Sequence, residues 1–593
     1  MRIFLLWRRD TGPGAALDPA DVAPALQDVF RPLFGQPLEV GVEGNAAAGM
    51  VFAQLPVRGW AAPFRQADEH GRAYATDYPV GVRRVLGEGV GGSAPFARDA
   101  ELPALGRRLE RDPGPVVREL PPPFALVWWP RGRDEALLHT DGLGQAQVFE
   151  YDDGALWAAT NKIAALRALG VRLEPDPLDW ATKCTLGWFP LDRSGYARVT
   201  YAAPGTRVLL TPGGVRRTTV DVVGEWVHPA PMAREEALEL GRAAMIRHVR
   251  DGARHFDSRP AAGLSGGWDT RAVVASFVAA GVGVRAKVKG QEGQYDVPIA
   301  RRLAQIAGLD LQVRPKSGMP PERTDDLERS LRLALLWQGG HMWRESHKAF
   351  LAGDERRGDG GALNVMGQHG EIARGYYELR AGRPDGAVAY LMEGAPAALR
   401  PEVRDAVRER VHEVWAQAAG YGLDGLAALD FLYLFERTRR HNSASLASQF
   451  GLVFTPFLTP DVIRAAYALR AAGEPFVRDG RELNPLHRYV IATNTPGWAG
   501  VEFESDVSRA AAAAPAQGPA RRDWREARGR RYYDYDLYWR EVGRPLADRI
   551  TRDDGLWTEI FDAGVVRAGA GPAPLDLVLV ALMAEALEAA PAA

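Results

Sequence analysis

Residues 261 to 314 alternate between two kinds of segment. "AAGL" (261–264) is a short apolar strand candidate, "TRAVVASFVAAG" (270–281) a helix and "VRAKVKG" (284–290) a second strand. "DVPIARRLAQIAGL" (296–309) follows as a second helix and "DLQVRP" (310–315) as a third strand. Strands joined through helices run parallel, because a parallel pair cannot be closed by a tight hairpin. This order therefore predicts a parallel sheet with crossover helices. The chain before about residue 225 reads differently. "PFALVWWP", "EALLHTD", "QVFEYDDGALWAAT", "ARVTYAAP" and "TRVLLTPGGVRRTTV" are short β-type runs separated by turn signals, with "TPGGV" as a hairpin turn and "KIAALRALG" as a helix. Proline-rich "EWVHPAPMAREEAL" ends that region, and Glu235 opens an amphipathic helix. At 593 residues the chain exceeds one ordinary core, so two or three domains are expected.

The junction of the first strand and first helix in the second region reads "GLSGGWDTRA" (263–272). Ser265, Gly266 and Gly267 form the turn, and Asp269 or Thr270 is placed to cap the helix. Glycines let backbone N–H groups point inward with no Cβ in the way, and a helix N-terminus adds partial positive charge. Together these make an anion site suited to phosphate, with Asp269 positioned to hold magnesium against it. The stretch lacks the Gly-Lys-Ser/Thr ending of a Walker A loop and is not G-x-G-x-x-G. A plain turn and cap accounts for the same ten residues equally well.

"LSGGWDTR" resembles the SGGxDS signature of the PP-loop ATP pyrophosphatases, and among them the asparagine synthetase family. Other segments resemble that family in the same order, over about residues 120 to 490. "FALVWWPRGRDEALLHTDGLGQAQVFEYDDGALWAATNKIAALRALG" is similar to its glutaminase-like domain and "KGQEGQYDVPIARRLAQIAGLDLQV" to its second strand–helix unit. "VMGQHGEIARGYY" (365–377) is similar to its second glycine loop, and "FERTRRHNSASLASQFGLVFTPFLTPDVIRAA" to its later helical region.

The resemblance implies an α/β chain with a glutaminase-like (Ntn-type) α-β-β-α sandwich over 1–225 and a PP-loop parallel α/β domain with helical additions over 230–505. Beyond it, composition marks an Ala/Pro/Arg-rich flexible linker over 506–532, and a helical extension is expected over 533–593. The resemblance also implies that ATP lies against Leu264, Ser265, Gly266, Gly267, Asp269, Thr270, Val288, Gly290 and Gly367, with Mg2+ on Asp269. The implied reaction activates a carboxylate as an acyl-adenylate, releases pyrophosphate and forms an amide with ammonia or a substrate amine.

Three positions depart from the family. The residue after Met1 is Arg2, where glutamine-using members carry the cysteine nucleophile, so no glutaminase activity is expected. Gly370 replaces the aspartate of the second loop while Glu371 keeps the glutamate, so a magnesium ligand is lost or Glu371 substitutes for it. No lysine follows Lys348, and Arg488 is the first choice to replace the family's late lysine, ahead of Arg481 and His487, with a plain surface arginine as the alternative. Glu371 and Arg488 are thus the expected catalytic pair. Lactam-forming relatives, β-lactam synthetase and lasso peptide cyclase, also lack the starting cysteine, so a macrolactam or β-lactam-type cyclase is one alternative. A nucleotide-binding pseudo-enzyme is another.

Several other residues carry weaker expectations. Lys287 and Lys289 flank Val288 on the second strand, where a lysine can meet phosphate, and one of the pair facing solvent is the plain alternative. Asp296 matches a family aspartate and is also an ordinary N-cap. His369 is read as a bystander in its loop, and Tyr376 and Tyr377 as buried aromatics or pocket walls. His341 and His347 do not share a helix face, and the one cysteine, Cys184, excludes a disulfide within the chain and a Cys-rich zinc site. A net charge of −2 points away from nucleic acid, which weighs against a tRNA-modifying PP-loop enzyme. "MRIFLLWRRD" is too short for a signal core and "LDLVLVALMAEALEAA" reads as a buried helix, so a cytoplasmic protein with no membrane partner is expected.

Overall fold

The computed structural model describes residues 1–9, 17–34, 36–87, 100–290, 295–314, 323–341, 350, 361–381, 384–441, 450–505, 538–552, 554–567 and 578–582. The sequence-expected linker over 506–532, His347, and most of "LDLVLVALMAEALEAA" lie outside the described residues.

Two antiparallel six-stranded sheets form the first part of the chain. The first contains β1 (Arg2–Arg9), β2 (Glu39–Gly44), β3 (Gly49–Gln54), β8 (Phe149–Asp152), β9 (Leu156–Thr160) and β10 (Val199–Tyr201), in the order β10-β8-β9-β1-β3-β2. The second contains β4 (Arg65–Asp68), β5 (Gly71–Ala75), β6 (Ala125–Pro130), β7 (Ala136–Thr140), β11 (Thr206–Thr211) and β12 (Gly214–Thr219), in the order β12-β11-β7-β6-β5-β4. The "TPGGV" turn joins β11 to β12 with Thr211 opposite Gly214, as its composition predicts.

The sheets face one another through Phe52 and Tyr74, whose ring centroids lie 5.3 Å apart. Glu43 on β2 also reaches across, accepting from Arg72 Nη1 at 2.8 Å. Helix Pro19–Phe30 covers the outer face of the first sheet and helix Glu101–Arg111 that of the second, giving α-β-β-α layering. Gly106 of the second helix admits Trp128, whose ring would lie 2.7 Å from any Cβ there. "KIAALRALG" differs from expectation: Ile163–Leu169 is a 3-10 helix, ended by Gly170 at φ 78°.

The second part opens with helix Arg234–Ala253, one residue before the expected Glu235. Its parallel sheet contains β13 (Ala261–Gly263), β14 (Arg285–Lys289), β15 (Leu311–Arg314), β16 (Leu363–Val365) and β17 (Leu452–Phe454). All four pairings are parallel, and the order is β15-β14-β13-β16-β17. The chain steps outward from β13 to one edge, then returns to β13 and steps to the other. The order therefore reverses between β13 and β16, and a crevice opens beyond their carboxyl ends at such a reversal. Helices Trp268–Ala280 and Asp296–Ala307 are the crossovers, and later helices such as Pro401–Gly420 and Pro460–Ala471 pack around them.

Candidate functional site

Both glycine loops meet at this crevice. Residues 264–267 leave β13, and residues 366–370 leave β16. Gly367 approaches so closely that a Cβ there would lie 2.8 Å from the Cβ of Asp269, and a Cβ on Gly370 would run into Asp269 Oδ1. The aspartate missing at position 370 is thus sterically tied to where Asp269 lies.

The amides of the first loop point to partners within the protein. Gly266 N donates to Asp296 Oδ1 at 2.8 Å, Gly267 N to Ser265 Oγ at 3.1 Å, and Ser265 N to Thr270 Oγ1 at 3.2 Å. Asp296 is therefore more than a helix opener: its carboxylate sits where an anion would meet Gly266. A strap over residues 501–504 also packs on the loop. Glu504 N donates to Gly266 O at 3.0 Å, and Phe503 stacks on Trp268. Arg271, fully buried, holds this strap through Val501 O (2.9 Å) and Glu502 O, with its guanidinium over the Phe503 ring.

Asp269 is held by two side chains from distant parts of the chain. Arg374 Nη1 donates to Oδ2 at 2.6 Å, and His487 Nε2 lies 2.9 Å from Oδ1. A carboxylate can only accept, so His487 carries its proton on Nε2 there. Burial alone would raise the Asp269 pKa, but His487 and Arg374 outweigh it and hold the pKa below the usual carboxylate range. Arg374 Nη2 binds Glu482 at 2.6 Å. Burial works against the Arg374 charge, yet Asp269 and Glu482 raise its pKa above the ordinary arginine value.

Glu371 turns the other way, accepting from Tyr433 OH at 2.7 Å. Burial first, and repulsion from Asp269 second, push its carboxyl pKa up. Magnesium on Asp269 does not fit this donor set. Both carboxylate oxygens are engaged, Gly370 supplies no ligand, and Glu371 is bonded to Tyr433. Among the described residues no group of three or more His, Cys, Asp or Glu side chains is arranged to hold a metal.

Other expected residues divide. Leu264 and Val288 are buried, Leu264 N bonds Lys287 O at 2.9 Å, and Gly290 N bonds Arg314 O at 2.9 Å. Of the two strand lysines, Lys287 turns inward. Its Nζ crosses over β13, where Ala261 and Gly263 leave space, and donates to Asn364 Oδ1 at 2.9 Å. Burial lowers its pKa to about 8. Arg488 is exposed outside the cluster, donating to Leu483 O at 2.6 Å with its guanidinium 4.5 Å from the Trp268 ring. Its neighbour His487 is the residue that reaches Asp269.

Tyr376 stacks beside Tyr433, Tyr377 is buried, and His369 is buried at a left-handed φ of 70°. Sequence reasoning missed Arg374, Glu482 and Tyr433. The "GEIAR" spacing, which puts an arginine three residues after the glutamate on a tight turn, was the available signal for the first.

Arg2 is buried in the first part of the chain. Its guanidinium lies 4.1 Å from the Phe64 ring and donates to Thr76 O and, at 3.0 Å, to Gly451 O beside β17. Lys162, also buried, lies over Trp337, and burial lowers its pKa to about 7. No described helix is long and apolar enough to cross a membrane.

No family model and no curated protein matches the chain. Among solved structures, similarity is found to a glutamine phosphoribosylpyrophosphate amidotransferase from B. subtilis complexed with ADP and GMP, at 10% identity. The match covers 67% of this chain and 80% of that one, with a TM-score of 0.25. A second, described as the allosteric regulatory enzyme of purine biosynthesis, is also 10% identical, over 55% of this chain and 82% of that one, with a TM-score of 0.23. The fold itself rests on strand order and layering: an α-β-β-α sandwich followed by a parallel α/β domain with helical additions.

Proposed function

We propose that the chain is an ATP-dependent, AMP-forming carbon–nitrogen ligase of the asparagine synthetase type. The observation that supports this reading is the meeting of two glycine loops at the reversal point of the parallel sheet, with a helix N-terminus opening from the first. In the proposed reaction a substrate carboxylate oxygen attacks the α-phosphorus, and the bond to the pyrophosphate oxygen breaks. Ammonia or a substrate amine then attacks the acyl carbon, loses a proton and displaces AMP. The loop amides bind phosphate once Asp296 releases Gly266 N. Lys287, beneath the first loop, is placed to add positive charge. The nitrogen comes from free ammonia or a bound amine.

A second reading, a nucleotide-binding pseudo-enzyme, is favoured by one observation: Asp269 is bonded to Arg374 and His487 instead of being open. ATP binding followed by calorimetry, and ATP–pyrophosphate exchange over a panel of carboxylic acids, separate the two. The ligase is expected to bind ATP and to exchange with at least one acid, and Asp269→Asn to slow exchange at least tenfold. Binding without exchange selects the pseudo-enzyme, and no ATP binding removes both.

A further inference from the structure

We propose, resting on the reading of this crevice as a nucleotide-phosphate site, that Arg374 is its resident cation: the guanidinium occupies the place between Asp269 and Glu482 that a divalent ion would need, and nucleotide phosphate is countered there without metal. Three features of the geometry converge on this. Arg374 reaches Asp269 and Glu482 with separate Nη atoms, both at 2.6 Å, so it bridges two carboxylates as a bound cation does. Position 370 has no carboxylate, and Asp269 fills the space one would need. The second oxygen of Asp269 is taken by His487.

Arginine remains charged at any working pH and has five N–H groups in a planar fork. Two of them satisfy Asp269 and Glu482, and Nε is buried with no hydrogen-bond partner among the described residues. The guanidinium therefore keeps donors for a phosphate oxygen while both carboxylates hold it in place. A divalent ion added at Asp269 would meet this fixed positive charge within contact range and lose the oxygens it needs.

The test uses the full chain and manganese as the probe, followed by electron paramagnetic resonance and calorimetry without nucleotide. The parent is expected to show no manganese site that depends on Asp269. Arg374→Ala leaves Asp269 and Glu482 facing a hole, and is expected to gain a site at least tenfold tighter than any in the parent. Adding Asp269→Asn is expected to abolish that site. Arg374→Gln serves if the alanine variant does not fold, and if neither folds the parent titration decides.

Manganese bound by the parent and lost in Asp269→Asn overturns the proposal, as does a folded Arg374 variant that gains no site. A second arm measures ATP affinity of the parent in EDTA and in magnesium. Values within threefold support the proposal, and a magnesium gain above tenfold that Asp269→Asn removes overturns it. If ATP binds in neither condition the ligase reading falls, while the manganese result still decides the role of Arg374.

Discussion

At the scale of single residues, Asp269, Gly370 and Lys287 carry the most consequence. Gly370 has an ordinary backbone conformation, and its lack of a side chain matters because Asp269 lies against it. Gly370→Asp is expected to overpack this spot and to set a second carboxylate against the first, lowering stability by about 2–3 kcal/mol. Denaturant unfolding would show this, and adding Asp269→Ala should restore most of the loss. Unchanged stability in Gly370→Asp alone would mean that Asp269 moves freely.

Lys287 gives a pH prediction. Its folded pKa of about 8 lies below the ordinary 10.5, so between these values the unfolded chain binds more protons than the folded one. Its contribution to stability therefore rises with pH through this window, by at most about 1.4 kcal/mol per pH unit, and is flat below it. Lys287→Met should remove that rise from a series of unfolding curves measured between pH 7 and 10.5. An unchanged slope would place the lysine in solvent.

At the scale of elements, the first loop is held from two sides. Asp296, at the start of helix Asp296–Ala307, bonds Gly266 N, while the 501–504 strap bonds Gly266 O. A bound phosphate competes with the first and must fit beneath the second. Asp296→Ala should tighten ATP binding about tenfold, the equivalent of one charge-assisted hydrogen bond of about 1.5 kcal/mol released from competition. Weaker binding in calorimetry would show that Asp296 helps to shape the loop instead. Arg271→Ala detaches the strap from the buried guanidinium and should raise protease cleavage near residue 502 at fixed stability of the rest.

The turn before the helix was legible from its two glycines, but the cap was not: Gly267 is the N-cap with no side-chain bond, and Asp269 and Thr270, expected to cap, lie inside helix Trp268–Ala280. The latch was not legible either, since Gly266 and Asp296 are separated by a whole strand–helix unit.

At the scale of the whole molecule, the sandwich and the parallel domain share a buried boundary. Arg2 ties Thr76 O to Gly451 O. His341 sits among Phe149, Phe189 and Tyr201, and burial lowers its pKa to about 3. Arg2→Met would leave these carbonyls buried without their donor and should lower stability by about 2–3 kcal/mol, read as a shift in the denaturation midpoint. An unshifted midpoint would mean that water replaces the guanidinium.

Local patterning alone specifies strand and helix alternation, the hairpin at "TPGGV" and the glycine turn before helix Trp268–Ala280, whereas Lys287 and Lys289, two apart on one strand face, are told apart only by what Lys287 meets in the fold. The first three follow from the period of side-chain placement and the conformational range of glycine, both of which act over a few residues. Only the tertiary structure decided what meets at the crevice. Asp269 pairs with Arg374 and His487, residues 105 and 218 positions away. Sheet order brings those side chains together, and the charge balance they reach depends on distances that no local pattern encodes.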